Sequence, residues 1–301
     1  MIRSAPLYTA LALVVTAATS ATLAQGNRWN SVADALGKSG NEMNGVYRVG
    51  LPRSDLQVTL DGVTLKPGFA LGSWVAFEGT GNNGMMMGDL VLTESEIEPV
   101  MQKLQEGGIE ITALHNHLLR AQPATFYMHV LGHGDPVALA RSVHEALALS
   151  KTPLGNTPAA APPALDLDTG AIDRIIGGHG QNANGVYQIT IPRADTVRAH
   201  GMTVPPAMGT GEGINFQPTG SGKAAITGDF VLTAAEVTPV MRTLRSNGID
   251  VTALHNHMLD EQPRLFFMHF WANDDAMKLA TGVRAALDKI NVEKQKAAAS
   301  K

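Results

Sequence analysis

Two short runs in this sequence carry residue types at the spacing needed to hold a metal ion. His115-Asn116-His117 is followed by His129, and His255-Asn256-His257 by His269, after the same interval. Along a strand, residues i and i+2 point to one side, about 6.6–7 Å apart. His115 and His117 therefore face one point, and a hairpin turning near Gln122-Pro123 returns His129 to their side. Three imidazoles converging from adjacent strands are a common way to hold zinc, copper, iron or nickel. Six of the ten histidines lie in these two triplets; His133, His144, His179 and His200 have no counterparts. The plainer alternative is a set of hydrogen-bonded core histidines that both runs inherited. The Thr-Ala-Leu-His-Asn-His block repeats as a whole, including apolar positions that no metal needs.

Nearby residues extend or rival this chemistry. His255-x-His257-x-x-x-Glu261 has the spacing of the cupin metal motif, with His269 as a fourth ligand, but Ala121 stands where the first run would need the acid. The helices expected around it do not suit a cupin barrel. Asp89 and Asp229 each follow a glycine and read as oxygen ligands or general bases, or more plainly as turn residues. Glu96 and Glu236 are accounted for by helix capping. Arg53-x-Asp55 and Arg193-x-Asp195 read as ion pairs, or as clamps on a carboxylate or phosphate ligand. Met85-Met86-Met87 offers soft thioethers suited to copper. The second run has Ala224-Ala225-Ile226 there, which favours core filling. His-Asn-His is contiguous here, unlike the nuclease named by those letters, and no Walker loop, Rossmann fingerprint or Gly-x-Ser-x-Gly elbow is present.

The elements that must position these residues are written twice, at an offset of 140 residues. Asn44-Gly45-Val46-Tyr47 returns as Asn184-Gly185-Val186-Tyr187, and Ile109–His129 matches Ile249–His269 at 13 of 21 positions. Between residues 62 and 86 the offset becomes 139. The expected domains are 29–150 and 169–290, joined by a Pro/Ala-rich linker at 151–168 and followed by a flexible tail at 291–301. Each copy reads as a short helix near Ser31–Gly37, a strand at Val46–Leu51, strands at Trp74–Phe77 and Met85–Leu92, and a helix over Glu94–Glu106. Thr93-x-x-Glu96 opens that helix and Gly107-Gly108 stops it. Ile109, Ile111, Ala113, His115 and His117 alternate onto one face of the next strand. A strand at Thr125–Leu131 and a helix over Asp135–Leu149 close the unit. The fold class is α+β: two tandem copies of a mixed-sheet domain with helices, packed as a pseudo-twofold pair.

Residues 1–24 read as a secretory signal peptide, with Arg3, an apolar stretch at Leu7–Ala18 and small residues before Gln25. The expected location is periplasmic or secreted. With no cysteine there are no disulfides, no thiolate metal sites and no lipid-accepting residue, so no stable membrane anchor is expected. Net charge is −4, or −5 without Arg3, and no basic stripe is present, which argues against nucleic acid as a partner.

With these motifs laid out, the chain resembles the LppY/LpqO-like family of bacterial envelope proteins. The resemblance rests on Leu-Thr-x-x-Glu (Leu92–Glu96, Leu232–Glu236), Thr-Ala-Leu-His-Asn-His (112–117, 252–257) and Phe-x-Met-His (126–129, 266–269). It implies an envelope location and no particular mechanism. Some members look like lipoproteins, whereas this chain has no cysteine to take the lipid.

The residues together point to an exported protein that binds a divalent transition metal (Zn or Cu), or a small ligand through it, at the two triplets. Neutral imidazole ligands predict binding that weakens toward their pKa. One rival is a metal-dependent enzyme, hydrolase or cupin-like, in which Glu261 or Asp229 moves the proton. Another is a metal-free envelope interaction module.

Overall fold

A computed structural model describes residues 29–156 and 161–293. The expected signal peptide, residues 157–160 of the linker and the tail from 294 lie outside the described residues. The first copy runs α1 (29–36), β1 (Asn41–Met43), β2 (Val46–Pro52), β3 (Thr59–Leu60), β4 (Val63–Thr64), α2 (Pro67–Ala70), β5 (Gly72–Glu78), β6 (Gly84–Leu92), α3 (Glu94–Glu106), β7 (Glu110–His115), β8 (Phe126–Gly134) and α4 (Pro136–Leu147). The second runs α5 (Thr169–Ile176), β9 (Gln181–Ala183), β10 (Val186–Pro192), β11 (Arg198–Ala199), β12 (Met202–Thr203), β13 (Gly211–Gly220), β14 (Lys223–Leu232), α6 (Ala234–Ser246), β15 (Asp250–His255), β16 (Phe266–Asp275) and α7 (Ala276–Leu287).

The strands form two six-stranded sheets of the same order, β1-β2-β5-β6-β8-β7 and β9-β10-β13-β14-β16-β15, with antiparallel pairings. Helices cover one face of each sheet. In the first copy Leu36 of α1, Val100 and Leu104 of α3 and Val143 of α4 pack on Val49, Val75, Leu90 and Val130. The second copy repeats this arrangement with α5, α6 and α7. The helix over Glu94–Glu106 begins and ends where its capping residues place it, and Asp135 serves as the N-cap of α4. The chain at Asn291–Glu293, expected to be loose, is held: Glu293 N–H donates to the Pro192 carbonyl, and Asn291 N–H to Glu236, at 2.9 and 2.8 Å.

The opposite faces of the two sheets meet each other, giving four layers: helices, sheet, sheet, helices. Two apolar cores form in this join, each assembled from both copies. One packs Val197, Val204, Met208 and Phe267 of the second copy on Met85, Met87 and Leu131 of the first. Its counterpart packs Leu60, Leu65, Phe69 and Tyr127 of the first copy on Val186, Ala225 and Trp271 of the second. Met85 and Met87 thus fill the join while Met86 fills the helical core, which accounts for the methionine run without copper. Gln217 donates to the Thr64 carbonyl and accepts from Lys66 N–H, both at 2.8 Å, bolting the copies together.

Two corners of the join are equivalent by position, with the acid and the base exchanged between them. Arg120 forks onto Asp61 at 3.0 and 2.7 Å and reaches Asp250 of the second copy at 3.4 Å. At the other corner Asp260 lies 3.3 Å from His200, whose ring meets the edge of His133 from the first copy with centroids 4.6 Å apart.

Beneath each sheet edge sits an ion pair that ties β2 to α3. Arg53 is fully buried; its guanidinium bonds Asp55 twice, Glu96 twice and the Val91 carbonyl. Burial pushes the Glu96 carboxyl up, but Arg53 and the Thr93 and Lys151 N–H groups together hold it below its usual value. Removing one partner of a buried pair strands the other charge, at a cost of roughly 3–5 kcal/mol, whereas exposed pairs contribute about 0–1 kcal/mol. Glu96→Ala should therefore cost at least about 3 kcal/mol in urea denaturation, whereas Lys103→Ala, which breaks exposed pairs with Glu106 and Glu145, should leave the midpoint close to that of the wild type. Equal costs for the two variants would refute this role for the pair.

Candidate metal centre

Between the two apolar cores of the join runs a polar seam, and strand register puts most of its members there. On β8, His129 lies between Tyr127 and Leu131, which belong to opposite apolar cores. On β6, Asp89 lies between Met87 and Val91 in the same way and pairs across the ladder with His129. On β14 and β16, Asp229 is paired with His269. His115 ends β7 opposite Tyr127, and His255 ends β15 opposite Phe267.

The seam depends on a bulge that the alternation of residues does not reveal. The register of β7 against β8 shifts between Ile111 and Ala113, and that of β15 against β16 between Val251 and Ala253. A bulge adds one residue and turns the following side chains to the other face. Ile111 therefore packs against the helical core, while Ala113 and His115 turn to the join. The expectation that Ile109 through His117 share one face holds only beyond the bulge, and His117 falls past the end of the strand. Thr112, at the bulge, donates its hydroxyl to the His257 carbonyl at 2.5 Å, and Asn256 donates to the Thr112 carbonyl at 3.0 Å. These two bonds cross between copies and fix the hairpin ends.

The two triplets do not lie apart; they interleave. His115 stacks on His255 and His117 on His269, each with ring centroids 3.5 Å apart, and His129 stacks on His257 at 3.7 Å. Tyr127 and Phe267 close the ends, lying 3.5 and 3.4 Å from His117 and His257. Neither aromatic belongs to the ligand chemistry expected from sequence, although the recurrence of an aromatic at the second position of Phe-x-Met-His marks both. His115 and His255 are half-buried and form the approach; the other four imidazoles are buried.

Hydrogen bonds set the tautomers. Nδ1–H of His255 donates to the Asn256 carbonyl at 3.1 Å and that of His269 to the Gly228 carbonyl at 3.0 Å; the Gly88 carbonyl takes the same role for His129. A proton on Nδ1 leaves the lone pair on Nε2, and backbone support of this kind orients metal-binding histidines. All six Nε2 atoms are buried and have no hydrogen-bond partner. Ligand atoms of His115, His117, His129 and His255 lie within 4.8 Å of one another, as do those of His255, His257 and His269.

Asp89 and Asp229 belong to the same seam. Asp89 Oδ1 is 4.0 Å from His129 Nε2, and Asp229 lies 3.7 and 3.6 Å from Nε2 of His257 and His269. One Oδ1 of each is buried without a partner. Their position overturns the turn reading. Both sit in mid-strand, and the preceding glycines are there for space: a Cβ on Gly228 would lie 2.3 Å from Phe270, and one on Gly88 2.8 Å from Val75.

Other candidates fall elsewhere. Glu261 is buried, accepts from Leu265 N–H at 2.9 Å and pairs with Arg264 at 3.3 Å, so it braces its own loop. Arg53 uses its donors on Asp55, Glu96 and Val91 and has none left for an external anion. Arg193 makes the equivalent pairs with Asp195 and Glu236, but its Nε is unpartnered and it lines a surface hollow of about 180 Å³ away from the imidazoles.

The family described as Domain of Unknown Function (DUF1259) matches residues 30–149 and again 170–289. The chain belongs to this family. No curated protein matches it. Among solved structures, a trimeric bacterial microcompartment shell protein, PduB, is 12% identical over 83% of this chain and 89% of that one, with a TM-score of 0.21. EtuB from Clostridium kluyveri is 9% identical over 82% and 90%, with a TM-score of 0.20. Scores this low do not equate the folds.

Burial controls protonation throughout the seam. It lowers His115 to about 4 and, helped by repulsion from His115, lowers His255 to about 3; the other four imidazoles lie well below the usual value of 6.5. Proton competition at the imidazoles thus moves well below the window expected from sequence. Burial raises Asp89 to about 8, with Arg48 opposing, and raises Asp229 well above the usual carboxylate value, with Asp89 adding to the rise. An imidazole with a depressed folded pKa contributes stability that is complete above 6.5 and is lost as pH falls toward the folded value. Asp89 acts in the opposite sense: its contribution is complete below 3.8 and is lost as pH rises through about 8. In metal-stripped protein, melting temperature should fall between about pH 7 and about pH 5, and fall less in a His115→Gln/His255→Gln variant. A wild-type slope no steeper than the variant's would contradict the buried, neutral state of these rings.

Proposed function

We propose that this chain is an exported envelope protein that binds a divalent transition metal, zinc or copper, in the seam between its two copies. The single observation that supports this most is the set of six buried Nε2 atoms without partners, beside the buried Oδ1 atoms of Asp89 and Asp229. A buried acceptor left unsatisfied costs roughly 1–3 kcal/mol, and a cation would satisfy imidazole and carboxylate together. A closed hydrogen-bond network would be the expectation for purely structural histidines. An envelope location is supported by the leader pattern at 1–24 and by the LppY/LpqO resemblance. No helix among the described residues is long and apolar enough to cross a membrane.

A second reading, a metal-dependent enzyme, is supported by Asp89, whose carboxyl burial pushes up to about 8 beside His129. A carboxyl that titrates near neutrality can carry a proton. In that reading Asp89 and Asp229, not Glu261, would move it, and the half-buried edge at His115 and His255 would admit the substrate.

The test is elemental analysis of mature protein purified without chelators or a histidine tag. The expected result is bound zinc or copper in the wild type and none in a still-folded His115→Ala/His117→Ala/His255→Ala/His257→Ala variant. No metal in either protein, and no uptake when zinc or copper is added, would leave an interaction module with structural histidines. If metal is bound, ester and phosphate hydrolysis measured with and without it would separate binding from catalysis.

A further inference from the structure

We infer that the seam takes two first-row divalent ions as a facing pair, one on His115, His117 and His129 and one on His255, His257 and His269, with the Asp89 and Asp229 carboxylates beside them as counter-charges. This rests on the metal-binding reading above and adds the number and placement of the ions.

The count of donors carries the inference. Zinc is held by four ligands in tetrahedral sites, so one such ion leaves at least two of the six buried Nε2 atoms unmatched. No group of ligand atoms within 4.8 Å of one another spans all six rings among the described residues; they fall into two groups that share only His255. His255 has its Nδ1–H on the Asn256 carbonyl, so it has one lone pair and serves one ion. Assigning it to its own copy gives three imidazoles per ion, related by the pseudo-twofold.

The carboxylates divide in the same way. Asp89 lies by His129, and Asp229 by His257 and His269. Among the described residues Arg48 is the one cation that opposes the burial of Asp89, and none opposes that of Asp229. Each acid would gain a cation from the ion of its own triad. Because every ring of one triad stacks on a ring of the other, the two ions must sit close together and respond to each other.

The experiment titrates chelator-stripped full-length protein with copper(II), following bound metal by elemental analysis and electron paramagnetic resonance. Two equivalents, with the signal of isolated copper(II) reduced as the second binds, is the expected result. A folded His257→Gln/His269→Gln variant should retain one equivalent and give the full isolated signal. One equivalent in the wild type would overturn the pair while leaving metal binding intact. Two equivalents with a fully additive isolated signal would overturn their proximity. Loss of all copper in the folded variant would mean one shared site. No binding by the wild type would remove the metal-binding reading itself.

Discussion

Imidazole stacked on imidazole, in a join that buries four of the six rings and half-buries the other two, is the constraint around which this chain is arranged. Neutral rings can be packed this way; protonated ones would repel, and each would be charged in a buried interface. The two mixed-copy apolar cores flank them on either side, and Tyr127 and Phe267 cap the ring stacks. The Gly88 and Gly228 carbonyls then fix which nitrogen keeps its proton. Shifting β6 or β8 by one residue would send Asp89 or His129 into the helical core. The buried ion pairs at Arg53 and Arg193 hold β2 to α3 and β10 to α6, which keeps the helical layers seated on the sheets.

Neither copy builds this environment alone. Each sheet contributes its imidazoles to a face that the other sheet covers, and each apolar core combines sheet residues of both copies with the loop residues of one. The bulges at Thr112 and Thr252 matter for the same reason. They let an edge strand serve the helical core with Ile111 or Val251 and then turn its end to the join.

How much of this was legible in the sequence varied with the range of the interactions involved. Helix α3 was read to its ends because a capping box, a helical apolar face and a terminal glycine are all local signals. The duplication and the six histidines were legible because they recur. The bulge was not, since the alternation runs through it unbroken and only pairing with β8 displaces it. Asp89 and Asp229 looked like turn residues because their glycines did, and those glycines answer to Val75 and Phe270, which are remote or on a neighbouring strand. Glu261 shows that ligand spacing alone does not place a side chain: its loop turns the carboxylate onto Leu265. The two-residue strands β3, β4, β11 and β12 are too short to carry a periodic signal.

The exchange of acid and base between the two corners shows what joining the copies has made available. Asp61 and Arg120 occupy the positions of His200 and Asp260, so the acid and the base have traded places. In a dimer of identical chains every substitution arrives twice, and both corners must tolerate it. Here a substitution arrives once, and only one corner has to accept it. Covalent linkage has released the join from its own symmetry, so the two edges of one interface can be altered separately while the histidine seam between them stays matched.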